Sequence, residues 1–248
     1  MLKTIALIDG SVYAHSVCDA AAWVSKRARA SVELLHVLGR REGAADKADF
    51  SGNIGLGART ALLEELAELD AQKAKLTQKR GRALLEDAKE HLVNAGVSDV
   101  TTSLRYGDLA ETVQDLERDA HMIVVGKRGE AADFAKLHLG SNLERVVRST
   151  QRPVLVASRK FEPVSKILIA FDGGQSAGKA IDHMIRSQIF SGIACHLLMV
   201  GQDSPAALSQ IAEAAGQLAS AGYEVSSEVR QGQAEKIISA EVEAGEYG

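Results

Sequence analysis

The chain has 248 residues, 46% apolar and 25% charged, with a formal net charge of −4 and 4% aromatic side chains. This balance excludes a disordered or fibrous chain, and mild acidity with few aromatic rings excludes a polynucleotide binder held by charge and stacking. Cys18 and Cys195 are too few for a disulfide framework and lack metal-finger spacing, no apolar run reaches ~18 residues, and Lys3 opens a strand-like segment without a leader-like stretch. The expectation is a cytoplasmic protein with no membrane partner.

In chain order, Thr4 to Ile8 reads as a short buried strand, Ala14 to Ala30 as a helix, and Val32 to Leu38 as a second strand. Gly39 to Gly57 is polar and glycine-rich, and it fits either a lid over a ligand or a plain surface loop. From Thr60 the periodicity is helical. Leu62, Leu66, Leu69, Leu76, Leu84, Ala88 and Leu92 form a stripe, interrupted by Lys73 and Arg80, that ends before Gly96, and the charged remainder is expected to face solvent. A strand at Val100 to Arg105, a helix from Asp108 to Arg118, a strand at Met122 to Val125, a helix from Ser141 to Ser149 and a strand at Val154 to Ala157 complete the first series.

Past Lys160-Phe161-Glu162-Pro163 the series restarts. Strands at Lys166 to Phe171, Cys195 to Val200 and Glu224 to Arg230 alternate with helices at Ala177 to Ile189, Ala206 to Ala219 and Ala234 to Ala244. Apolar strands alternating with helices imply parallel sheets covered on both faces.

The two series are copies of one another. Lys3-Thr-Ile-Ala-Leu-Ile-Asp9-Gly10-Ser11 matches Lys166-Ile-Leu-Ile-Ala-Phe-Asp172-Gly173-Gly174, an offset of 172 − 9 = 163, and the same offset aligns Leu34 with Leu197 and Val37 with Val200. Further on, Gly107 matches Gly232 at 232 − 107 = 125, so the first copy carries 163 − 125 = 38 extra residues. We expect domain 1 over 1–160, with a long insertion at about 39–98, and domain 2 over 164–248, lacking counterparts of the last elements of domain 1.

The strongest site signal is Val124-Val125-Gly126-Lys127-Arg128-Gly129, then ten residues, then Gly140-Ser141-Asn142-Leu143. Glycines at a strand's carboxyl end let backbone amides approach an anion, and a helix opening at Ser141 offers N–H groups to phosphate. Lys127 and Arg128 add positive charge there.

With Asp9, Val37 and Gly107-Asp108, this Gly-x2-Gly-x10-Gly-Ser pattern resembles the universal stress protein family in its tandem form. The resemblance covers domain 1 fully and about two thirds of domain 2, with a glycine spacer one residue longer than in the family's ATP-binding branch. It implies two Rossmann-like parallel α/β domains of the adenine nucleotide alpha hydrolase type. It further implies that domain 1 binds ATP or a related adenine nucleotide, with or without Mg2+. Gly126, Arg128, Gly129, Gly140, Ser141 and Asn142 would lie at the phosphates and ribose, Asp9 and Val37 at the adenine end, and Val125 beside Gly126. The family's tandem members pair their final strands; with no final strand in the second copy, the Val154 to Ala157 edge is expected to make a homo-oligomer.

Other patterns point less far. Gly173 to Lys179 reads G-x4-G-K, but Ala180 stands where a P-loop has Ser or Thr, and an ordinary strand-to-helix turn is expected. The seven histidines have no metal-ligand spacing, with His36 and His121 expected to be structural, and no serine or cysteine sits in a nucleophile elbow or triad. A regulatory nucleotide binder is therefore expected, the alternatives being an adaptor of the same fold and a weak ATPase.

Overall fold

A computed structural model describes residues 2–39, 56–129, 140–245 and 247. The chain divides into two units, Met1–Phe161 and Glu162–Gly248. The first runs β1 (Lys3–Leu7), α1 (Ala14–Ala28), β2 (Ser31–Leu38), α2 (Leu56–Asn94), β3 (Val100–Tyr106), α3 (Leu109–Leu116), β4 (Met122–Gly126), α4 (Ser141–Ser149) and β5 (Val154–Ala157). Its five strands form one parallel sheet in the order β3-β2-β1-β4-β5.

Successive strand residues point to opposite faces, so a strand buried on both sides is a continuous apolar run. Ala6, Ile8, Leu34 and Val124 pack with Val17, Ala21, Leu85 and Leu92 under α1 and α2. Ile5, Leu7, Leu35, Ile123 and Val125 pack with Val113, Leu143 and Val146 under α3 and α4. Each fully buried side chain of this size contributes about 1.5–3 kcal/mol, and together they hold the ends of β1 and β4 side by side.

One expectation fails in α2. The sequence stripe runs from Leu62 to Leu92 with interruptions at Lys73 and Arg80, yet no residue from Leu62 to Arg80 is buried, and Leu69 and Leu76 are 56% and 68% exposed. Only the last turns lie on the sheet, through Leu85 in place of Leu84, with Ala88 and Leu92. Gly81 marks the first contact: a Cβ there would stand 2.9 Å from both His36 Cδ2 and Leu104 Cδ1. A helix of 39 residues is about 58 Å long, more than a strand of seven or eight residues can cover.

The second unit runs β6 (Lys166–Ala170), α5 (Gln175–Arg186), β7 (Ala194–Val200), α6 (Pro205–Ser220), β8 (Val225–Arg230) and α7 (Ala234–Ala244). Its strands are parallel in the order β6-β7-β8. Ile169, Phe171, Leu197 and Met199 pack with Ile181, Met184, Ile211 and Leu218.

Hydrogen bonds repeat at the sequence offset. Ile8 N–H donates to Leu35 O at 2.9 Å and Phe171 N–H to Leu198 O at 3.0 Å, each 163 apart. The α2 end repeats as well: Leu85, Ala88, Leu92 and Val97 correspond to Ile211, Ala214, Leu218 and Tyr223, all buried and all 126 apart. Gly96 and Gly222, the same 126 apart, follow the two helices with φ of +86° and +91°, a left-handed turn that glycine makes without Cβ strain. The stretch at 39–98 is therefore not all additional; its last turns are the counterpart of α6.

Candidate functional site

The sheet order places β2 on one side of β1 and β4 on the other. The connections reverse direction between β1 and β4, and at such a switch point the loops leaving the two strands separate to leave a crevice at their carboxyl ends. After β1 the chain turns on Asp9, whose Oδ1 accepts from Ser11 N–H at 3.0 Å. Ser11 Oγ then accepts from Tyr13 N–H at 3.2 Å, and α1 begins. Asp172 makes the same turn in the second unit, accepting from Gly174 N–H at 2.8 Å.

From β4, Gly126 pairs with Ala157 of β5, and Lys127 N–H donates to Ala157 O at 2.9 Å. Three close approaches explain the three glycines. A Cβ on Gly126 would stand 2.7 Å from Tyr13 Cβ. On Gly129 it would meet Asp9 Oδ2 at 3.0 Å and Asn142 Nδ2 at 4.0 Å, and on Gly140 it would meet Arg128 Cα at 3.3 Å and Gly129 N at 3.4 Å. Gly140 N–H donates to Lys127 O at 3.3 Å, drawing together the two ends of the glycine segment. Its middle, 130–139, which includes the additional spacer residue, lies outside the described residues.

Asp9, Gly126, Arg128, Gly129, Gly140 and Asn142 are thus brought to one place, with Ser141 opening α4. Gly140 caps α4 without a side chain, so the first amides of the helix keep their capacity for an acceptor, and the helix dipole adds positive potential. Lys127 is exposed, and Arg128, Asp9 and Gly129 are half-buried. Bare backbone, an uncapped helix start and two cations together fit a phosphate chain. Val37 is set apart from this cradle: it is the last residue but one of β2, across β1 from β4, and packs into the same apolar cluster as Val125. Tyr13 was not read from the sequence. An aromatic residue two positions after an Asp-Gly-Ser turn was the only available sign of the ring that closes on Gly126.

Asp108, at the end of β3, turns to structure instead of facing the crevice. It caps α3 through Ala110 N–H at 2.9 Å and Glu111 N–H at 3.2 Å, and it accepts from Arg145 Nη2 of α4 at 2.5 Å. The Arg145 guanidinium, followed by the Glu111 backbone bond, holds its carboxyl below the usual carboxylate range. Among the described residues Glu117 and Thr150 form a further link, Glu117 accepting from the Thr150 hydroxyl and the Gln151 amide. These contacts brace the middle and the end of α4 against α3 and the turn that follows it.

The remaining expectations can be placed. His36 Nδ1 donates to Ile8 O at 2.6 Å, and His121 Nδ1 to Lys3 O at 2.8 Å. Both thiols are free and buried, and burial, followed by the Asp19 carboxylate, pushes Cys18 up to about 12, far from a reactive thiolate. Gly178 and Lys179 are the fourth and fifth residues of α5, inside the helix, so they cannot form a loop around a phosphate. No helix among the described residues is long and apolar enough to cross a membrane. The possible lid at 39–57 falls mostly outside the described residues.

Comparison with known proteins follows the same lines. The model of the universal stress protein family matches residues 1–158. A universal stress protein of Synechocystis, Slr1230, is 34% identical over 241 residues, which is 96% of this chain and 84% of that protein. YxiE of Bacillus subtilis, also a universal stress protein, is 28% identical over 156 residues, covering 62% of this chain and 97% of its own. Among solved structures, a universal stress protein of Archaeoglobus fulgidus superposes with a TM-score of 0.72 at 18% identity, covering 98% of this chain and 83% of that one, a likeness of fold. Taken with the repeated parallel α/β units, these matches show that the chain belongs to the universal stress protein family.

Proposed function

We propose that the first unit binds ATP or a related adenine nucleotide as a regulatory ligand at the carboxyl ends of β1 and β4. One observation carries the reading: Gly126, Gly129 and Gly140 leave bare backbone beside Asp9 and the uncapped start of α4, where any side chain would fill the space. Phosphates would lie against the glycine amides, Ser141, Asn142 and Arg128, with the base toward Asp9 and Val37. A magnesium ion would be held chiefly by the nucleotide's own phosphates.

Calorimetric titration of the purified chain with ATP, with and without Mg2+, together with phosphate release, tests this. The expected result is one saturable site per chain and no turnover; absence of saturation at millimolar ATP overturns the reading. Steady phosphate release lost on mutating the glycines would replace it with a weak ATPase.

We also infer that the chain assembles through β5. Among the described residues that strand pairs with β4 alone, at the end of the sheet order, and Val156 is 41% exposed. An open strand edge is a template for a second copy. Light scattering on the same samples is expected to give twice the chain mass of 26.4 kDa, and a strictly monomeric mass at micromolar concentration removes the inference.

A further inference from the structure

α1 and α2 meet at three polar side chains that take no part in the glycine cradle. His15 and Asp19 are one turn apart on α1 and project to the same side, and His91 comes from the last turn of α2. His91 Nε2 lies 2.7 Å from Asp19 Oδ1. An ionised carboxylate only accepts, so the proton of neutral His91 sits on Nε2 and its Nδ1 carries a lone pair. That lone pair faces His15 Nδ1 at 3.4 Å, with the ring planes tilted by 58°.

The separation suits a shared cation better than a shared proton. Hydrogen bonds from ring N–H groups centre near 2.9–3.0 Å. Two imidazole nitrogens each about 2.0–2.1 Å from a tetrahedral zinc ion stand about 3.3–3.4 Å apart. A carboxylate on the far nitrogen of a ligating histidine is also the usual arrangement behind a metal-bound ring, fixing its tautomer and orientation. His15 is exposed, and the side chains of His91 and Asp19 are 31% and 44% exposed, so an ion can enter and water can fill its remaining positions.

We propose that His15 Nδ1 and His91 Nδ1 together hold one divalent transition cation of the zinc class, with Asp19 as the residue that positions His91. Cys18 does not join them: its Sγ turns inward toward Ala88 O at 3.9 Å. Among the described residues no group of three or more His, Cys, Asp or Glu converges on a common point. The site is thus a two-histidine site completed by water, exchangeable and not a structural cage. Its occupancy would tie the last turn of α2 to the first turn of α1, the helix that leads away from the Asp9 turn.

Untagged full-length protein, titrated with zinc against a chromophoric chelator at pH 7.5, tests the assignment. The expected result is one equivalent bound, saturating below about 0.5 mM. His15→Gln and His91→Gln should each weaken binding at least about tenfold, and Asp19→Asn about 10-fold to 100-fold. Melting curves of the metal-free parent and variants, recorded on the same samples, separate a loss of folding from a loss of binding. Cobalt should develop a visible d–d spectrum in the parent alone. The proposal is overturned if the parent shows no saturable binding, which would leave an ordinary N–H···N contact. Equal binding by the His15→Gln/His91→Gln double variant overturns it too, placing the ion elsewhere.

Discussion

Gly129→Val is expected to weaken nucleotide binding about 100-fold while leaving the first unit folded. The added Cβ would stand 3.0 Å from Asp9 Oδ2 and 4.0 Å from Asn142 Nδ2, so the branched side chain fills the space between β1 and the start of α4. A phosphate excluded from two amides there loses charge-assisted hydrogen bonds worth about 1.5–3 kcal/mol each, and the lower bound for the pair, about 3 kcal/mol, is a factor of at least 100. The fold should tolerate the change, because the contact is with the tip of a carboxylate and Gly129 does not occupy the left-handed region.

Gly126→Val is the contrasting variant. Its Cβ would collide with Tyr13 Cβ at 2.7 Å, and Tyr13 cannot withdraw without shifting the start of α1. Lost binding in that variant would report on folding alone. For Gly129→Val, calorimetry with ATP and a thermal melt on one sample separate the two effects. Unchanged affinity would remove Gly129 from the site and, with it, the proposed position of the phosphates.

The second large effect concerns stability. Leu92→Ala is expected to cost about 2–5 kcal/mol, because Leu92 is fully buried against the sheet in the cluster containing Ala6 and Leu34. Leu76→Ala, a residue of the same helix and the same sequence stripe, is expected to change stability by less than about 0.5 kcal/mol, since Leu76 is 68% exposed. Urea unfolding of both variants measures the difference. Comparable losses would mean that the outer part of α2 has a covering partner in solution.

That pair of leucines marks where sequence reading stops. Both belong to one helical period, and periodicity reports which side of a helix is apolar, not how far the neighbouring sheet extends. The strands and the other helices were legible to within about two or three residues, because in a parallel sheet burial on both faces writes itself as continuous apolar runs. The turn at Asp9 was legible because it occurs twice. The glycines of the cradle were legible as a spacing, but not which atoms make glycine necessary; Tyr13, Asp9 and Arg128 supply those atoms from segments far apart in the chain. Asp108 was legible only as part of the family pattern; its two amide bonds and Arg145 make it a brace between α3 and α4. The pairing of His15 with His91, 76 positions apart, left no trace in local spacing.

The way α2 differs from α6 bears on how one copy of a duplicated unit acquires length. Downstream of Gly81 the two helices share their buried residues, their terminal glycine turn and the strand they lead into, so the difference in length lies toward the outer end, where no residue from Leu62 to Arg80 is buried. Extension at a free end leaves every downstream residue in phase with its neighbours, whereas the same number of residues placed within the final turns would rotate Leu85, Ala88 and Leu92 away from the core. The first copy could therefore lengthen by small steps, each nearly neutral for folding, and variation among relatives should collect between the end of β2 and Arg80 while the turns beyond it hold their spacing.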